Sequence, residues 1–181
     1  KEEEIVERVR EKIKRVLDEV REIDKRAHDE LRRVLKEVED IVRKVHEDLK
    51  RVLEEVRREV KGDKRIDDEL REIEERSRRS VEDAKRLLKE IEKRSRDSEK
   101  RSEDVLREIE ERITRLEDLL RRGLDVKTVV ETVDKIAKEV RDLSRRSVEE
   151  NRKLAREVRE VVRKVVEDNR RLAREVRERV R

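Results

Sequence analysis

Residues 28–45 read HDELRRVLKEVEDIVRKV, and residues 46–63 read HEDLKRVLEEVRREVKGD, so one pattern returns after eighteen residues. The same offset relates NRKLAREVRE, which begins at residue 151, to NRRLAREVRE, which begins at residue 169. Eighteen residues make about five turns of an α-helix. An apolar stripe with this period stays on one face of a straight helix, whereas a heptad repeat produces a left-handed supercoil. The repeat therefore predicts long, nearly untwisted helices.

The composition is that of long helices rather than of a disordered chain. Of the 181 residues, 60% are charged and 31% are hydrophobic, and Pro, Cys, Met, Trp, Tyr and Phe do not occur. High charge with few apolar residues is typical of disorder, but here the apolar residues recur with helical periodicity, which favours helices. The net charge is +4 and its signs are interspersed, so no nucleic-acid-binding patch is predicted. No apolar run exceeds two residues, so no membrane span is predicted and we expect a soluble chain.

The only two glycines mark the breaks between helices. Gly62 precedes Asp63, and Gly123 is followed closely by Asp125. Glycine adopts the left-handed conformation that ends a helix, and aspartate accepts hydrogen bonds from the free N–H groups that begin the next one. Short connections make successive helices antiparallel. We therefore predict one domain spanning residues 1–181, an elongated all-α antiparallel three-helix bundle with helices at about 2–61, 64–121 and 125–180.

Each predicted helix has one apolar stripe, represented by Ile13, Ile91 and Val158. A single stripe on each helix is what a closed three-helix bundle requires, and it leaves no second large apolar face. We therefore expect a monomer that needs no partner. A homo-oligomer, or a subunit of a larger assembly, is the alternative.

Polar residues interrupt these stripes. In the predicted bundle they fall at shared levels, which means at the same height along the three helices. Folding the chain at its two turns places His28 level with Ser95, Ser98, Ser147 and Asn151. It also places His46 level with Ser77, Ser80 and Asn169, and Asp24 level with Ser102 and Ser144. Buried polar groups need hydrogen-bond partners, and networks of this kind penalise incorrect helix registers at some cost in stability. The predicted structural network consists of Asp24, His28, His46, Ser77, Ser80, Ser95, Ser98, Ser102, Ser144, Ser147, Asn151 and Asn169.

The repeat, the composition and the layered His, Ser and Asn positions resemble those of de novo designed, parametrically generated helical bundles with buried hydrogen-bond networks. The resemblance covers the whole chain. It implies a designed structural scaffold without natural biochemical activity, and it implies that histidine networks could serve as a pH switch, as they are meant to in some members of that class.

Two more specific interpretations of the polar residues, as a catalytic site and as a metal site, are less favoured. Asp24, His28 and Ser98 are the residue types of a catalytic triad, but catalysis also requires an oxyanion hole and a substrate pocket. His28 and His46 are about 27 Å apart along one helix, too far to share a metal ion. We therefore predict no enzyme, no catalytic residues, no cofactor and no metal site.

A pH-responsive switch through His28 and His46 is the second functional hypothesis. Burial disfavours a protonated imidazole, whereas a neighbouring carboxylate favours it. Asp24 stands one helical turn before His28, but the matching residue before His46 is Val42. We therefore expect His46 to be responsible for most of the sensitivity to acid.

Overall fold

Apolar residues at helical spacing, separated by strong helix formers, produce three long helices. The computed structural model describes residues 2–180, with side chains from Glu3 onward, and within this range the chain forms three α-helices. They are α1 (Glu2–Glu59), α2 (Lys64–Arg121) and α3 (Val126–Val180). The helices pack against one another, which confirms the predicted all-α three-helix bundle. The first and last residues of the predicted 1–181 domain lie outside the described range.

Both turns form through the predicted residues. Gly62 and Gly123 have φ values of 100° and 102°, a region that side chains disfavour. At the second turn, the N–H of Leu124 donates to the Leu119 carbonyl at 3.0 Å and that of Gly123 donates to the Leu120 carbonyl at 3.1 Å. This pair of bonds is the Schellman pattern, which satisfies carbonyls at the end of a helix.

Aspartates begin the second and third helices. Asp63 Oδ1 accepts a hydrogen bond from the N–H of Arg65 at 3.1 Å, and Asp125 Oδ1 accepts one from the N–H of Lys127 at 3.4 Å. These contacts confirm the predicted N-caps. α1 nevertheless ends at Glu59, two residues earlier than predicted, because Val60, Lys61 and Gly62 form the turn.

The chain packs as two compact units, each with a segment of all three helices. The first unit comprises the residues up to Leu31 together with Arg94–Lys153, and the second comprises Arg32–Lys93 together with the chain from Leu154. The core of the first unit contains Ile13, Leu17, Val20, Leu106, Ile109, Ile113, Leu116, Val129, Val133, Ile136 and Val140. The core of the second contains Leu49, Leu53, Leu70, Ile73, Leu172 and Val176.

No helix in the described range is both long enough and apolar enough to cross a bilayer.

Candidate functional site: the buried histidine networks

The first unit contains a polar group in its interior, which we call the His28 network. His28 is 0% exposed, and Asp24, Ser95, Ser147 and Asn151 are also buried. Asp24 and His28 lie on the same face of α1 because they are four residues apart. Their nearest atoms, Asp24 Oδ1 and His28 Nε2, are 3.4 Å apart.

Hydrogen bonds connect the His28 network across the three helices. His28 Nδ1 lies 3.3 Å from Ser95 Oγ on α2. The Ser147 hydroxyl on α3 donates a hydrogen bond to Asp24 Oδ1. Asn151 Nδ2 then donates to the backbone carbonyl of Ser147 at 2.8 Å. One continuous set of contacts therefore fixes α1 relative to both of its neighbours in this unit.

Asp24 is the acidic group of this network. Burial opposes its ionisation, but the His28 ring and the Ser147 hydroxyl stabilise the carboxylate, and together they hold the pKa of Asp24 below its ordinary value. At 3.4 Å the contact between Asp24 Oδ1 and His28 Nε2 is longer than an ordinary N–H···O hydrogen bond. Neither His28 Nε2 nor Asn151 Oδ1 has a hydrogen-bond partner among the described residues. The network is therefore only partly satisfied.

The second unit contains a simpler group, which we call the His46 network. His46 Nδ1 lies 3.3 Å from Ser77 Oγ, and the Ser77 hydroxyl donates to Asn169 Oδ1 at 2.5 Å. Asn169 Nδ2 donates to the Val165 carbonyl at 2.7 Å. Ser77 is 0% exposed and Asn169 is buried, whereas His46 is half-buried.

The protonation of His46 follows from these bonds. A carbonyl can only accept, so the amide of Asn169 must direct Nδ2 at Val165 and Oδ1 at Ser77. The single hydroxyl hydrogen of Ser77 is then used on Asn169, and Ser77 can only accept from His46. The neutral imidazole therefore has its proton on Nδ1, and an added proton goes to Nε2.

The surroundings of His46 oppose that added proton. Burial of the ring is the largest effect, and the positive charges of Lys50 and Lys85 add to it. Glu74 and Glu47 act in the opposite direction, but the balance lowers the pKa of His46 from its ordinary value. The residue one helical turn before His46 is Val42, so no acidic side chain takes the position that Asp24 has relative to His28.

Ser80 and Ser98 have partners that the sequence reasoning missed. The Ser80 hydroxyl donates to Asp168 Oδ2 at 3.3 Å, and the Ser98 hydroxyl donates to Glu150 Oε2 at 3.0 Å. We expected both serines to face the asparagines. Each acidic partner is the residue immediately before Asn169 or Asn151, and the two recur eighteen residues apart, which is the signal that could have identified them.

The predicted level of Asp24 groups it with Ser102 and Ser144, but the hydrogen bond of its carboxylate comes from another serine. The Asp24 carboxylate accepts its hydrogen bond from Ser147. Ser102 is buried and Ser144 is half-buried. α1 and α3 are parallel neighbours in this unit, so the side chain of Asp24 reaches the adjacent turn of α3 directly rather than through α2.

The chemistry open to these groups is limited by access. Asp24, His28 and Ser95 stand in the order of a catalytic triad, but the ring is 0% exposed and Ser95 is 4% exposed. Ser98, the serine considered from the sequence, donates its hydrogen bond to Glu150. Within residues 2–180, no group of three or more His, Asp and Glu side chains is arranged to hold a metal ion.

Comparison of the chain with protein-family models, with curated proteins and with solved structures finds no match.

Proposed function

We propose that the chain is a designed structural scaffold, without enzymatic activity, whose buried networks hold the helices in one register. The observation that carries this proposal is that the hydrogen bonds of each network join different helices within a unit. His28 contacts Ser95 while Asp24 contacts Ser147, and Ser77 contacts both His46 and Asn169.

The energetic reason is the cost of an unpaired buried group. A shift of α2 by one helical turn in either direction would place Ile73 or Val81 where Ser77 stands. His46 and Asn169 would then each lose a partner. A buried polar group without a partner costs about 1–3 kcal/mol, so the incorrect registers are less stable than the observed one.

A designed origin is supported by the composition and the repeat. Six residue types are absent and the apolar pattern recurs every eighteen residues, which is consistent with a sequence chosen on a regular helical backbone. The absence of enzymatic activity is supported by the burial of Ser95, because a substrate carbonyl would have to reach the serine hydroxyl.

The test removes the polar groups and measures the register. The triple variant His46→Leu, Ser77→Val, Asn169→Leu makes the core of the second unit apolar. Spin labels on the exposed positions Lys36→Cys and Lys89→Cys report the distance between α1 and α2, with labelled protein diluted in unlabelled protein. We expect one narrow distance with the network intact. The variant should melt at or above the same temperature but give a broader or additional distance. A single unchanged distance in the variant would refute the proposed role.

A pH-responsive switch is the second candidate, through His28 and His46. The observation that favours it is the lowered pKa of His46, because burial and the charges of Lys50 and Lys85 oppose its protonation more strongly than Glu74 and Glu47 favour it. Replacement of each histidine by asparagine, followed by melting at several pH values, separates the two sites. Identical pH dependence in both variants and in the parent chain would exclude the switch.

A further inference from the structure

The side of the second unit between α1 and α3 differs from its other two sides. Arg57 pairs with Glu74 across α1 and α2 at 2.8 Å, and Arg76 pairs with Glu175 across α2 and α3 at 2.7 Å. Between α1 and α3, apolar side chains reach the surface instead. This surface, which we call the α1–α3 face, contains Val34, Ile41, Val45, Val52, Ala155, Val162, Val166 and Ala173.

The α1–α3 face is incompletely covered. Ile41 is 43% exposed, and the other apolar members are half-buried. A surface groove between the two helices is lined by Val45, Leu49, Val52, Val166, Asn169 and Ala173, with Asp48 and Arg170 at its sides. The stripe on α1 is therefore wider than a filled three-helix core requires, contrary to the sequence-based expectation.

Charged rows border the α1–α3 face, one acidic and one basic. On α1 the acidic row is Glu37, Asp48 and Glu55, and on α3 the basic row is Arg159, Arg170 and Arg177. All six residues are exposed. The spacing along each helix is the same, eleven residues and then seven. The two rows stand at matching levels, because Asp48 and Arg170 border the same groove.

Among the described residues, these two rows make few ion pairs. Asp48 lies 3.9 Å from Arg51 on its own helix. The other five make no ion pair or side-chain hydrogen bond with any residue in the described range, although ion pairs are frequent on the other sides of this unit.

We propose that the α1–α3 face binds a second copy of this chain in a parallel, two-fold symmetric dimer. A two-fold interface must be complementary to itself. An axis parallel to the helices places α1 of each copy on α3 of the other, so each acidic row meets a basic row at the same level. The alternative two-fold axis lies in the plane of the α1–α3 face and perpendicular to the helices. It would place α1 on α1 of the second copy, and like charges would then meet. Ile41 would pack between Val162 and Val166 of the second copy.

Two charge-reversal variants test this arrangement. The first changes the acidic row (Glu37→Lys, Asp48→Lys, Glu55→Lys), and the second changes the basic row (Arg159→Glu, Arg170→Glu, Arg177→Glu). Mass is measured by light scattering. We expect the unaltered chain to have twice the mass of one chain, each variant alone to be monomeric, and an equal mixture of the two to form a dimer. If the acidic and basic rows pair with each other within one chain instead, the mixture of the two variants will stay monomeric, and that result would overturn the proposal.

A single apolar substitution provides a second measurement in case a charge variant does not fold. Ile41→Lys should raise the Kd of the dimer at least about tenfold, because it buries an unpaired charge in the interface. Leu87→Lys is the matched control, since Leu87 is 41% exposed on α2 outside the α1–α3 face, and it should leave the Kd unchanged. Equal effects of the two substitutions, or a monomeric unaltered chain, would overturn the proposal.

Discussion

Ser77 is the residue whose removal should most directly reveal the His46 network. Its side chain is 0% exposed, accepts a hydrogen bond from His46 and donates one to Asn169. Ser77→Ala leaves His46 Nδ1 and Asn169 Oδ1 without their hydrogen-bond partner. Nothing else in the local packing needs to change, because alanine occupies no more space than serine.

The size of the effect follows from the burial of the two stranded groups. Asn169 is 4% exposed, so the loss of the partner of its Oδ1 should cost about 1–3 kcal/mol. His46 is only half-buried, so water can replace part of its lost bond and the cost there should be near the lower end of that range. Together, Ser77→Ala should lower the free energy of unfolding by about 2–4 kcal/mol.

Ser80→Ala is the matched control, because Ser80 is half-buried on the same helix and its bond to Asp168 is 3.3 Å long. It should cost less than about 1 kcal/mol. The assay is guanidinium unfolding followed by far-ultraviolet circular dichroism at pH 7.5.

A double-mutant cycle tests the coupling in the same assay. Asn169→Leu removes one stranded group, so the cost of Ser77→Ala should be smaller in that background. Equal costs for Ser77→Ala and Ser80→Ala, or additive effects of Ser77→Ala and Asn169→Leu, would refute the inferred network.

Four further predictions concern acid, the second turn and the His28 network. The folded pKa of His46 lies below its unfolded value of about 6.5, so the melting temperature should fall as the pH drops below that value, and His46→Asn should reduce this fall. The folded pKa of Asp24 is also lowered, so the carboxylate stabilises the folded chain above the unfolded pKa of about 3.9, and this stabilisation is lost in stronger acid. Asp24→Asn should abolish that loss when melting temperatures are measured over a series of pH values. Gly123→Val should cost about 1–2 kcal/mol because a side chain disfavours a φ of 102°. Beyond the two neighbouring residues nothing lies within 4 Å of an added Cβ, so the cost would come from the backbone, and an unchanged unfolding midpoint would contradict this reason. Asn151→Leu should cost less than Ser77→Ala in the same denaturation assay, because Asn151 Oδ1 has no hydrogen-bond partner in the described range.

Local features of the sequence determined the elements and the levels of their polar residues. Helix ends depend on capping groups a few residues apart, which is why Gly62, Asp63, Gly123 and Asp125 sufficed to locate the turns. The level of each polar residue along the bundle follows from the constant rise per residue of a helix, counted from those turns. The contacts of His28 with Ser95 and of His46 with Ser77 were therefore predictable without coordinates.

Only the tertiary structure decided which hydrogen-bond partner each polar side chain has at its level. It also decided how deeply each of these side chains is buried. Several acceptors stand within one helical turn of each serine, and the choice among them depends on the distance between helices and on side-chain rotamers. Ser98 therefore donates to Glu150 rather than to an asparagine, and Asp24 accepts from Ser147. The same dependence makes His28 fully buried and His46 half-buried, although both occupy the same place in the eighteen-residue repeat. Periodicity assigns a residue to a face, whereas its exposure depends on how closely the neighbouring helices approach it.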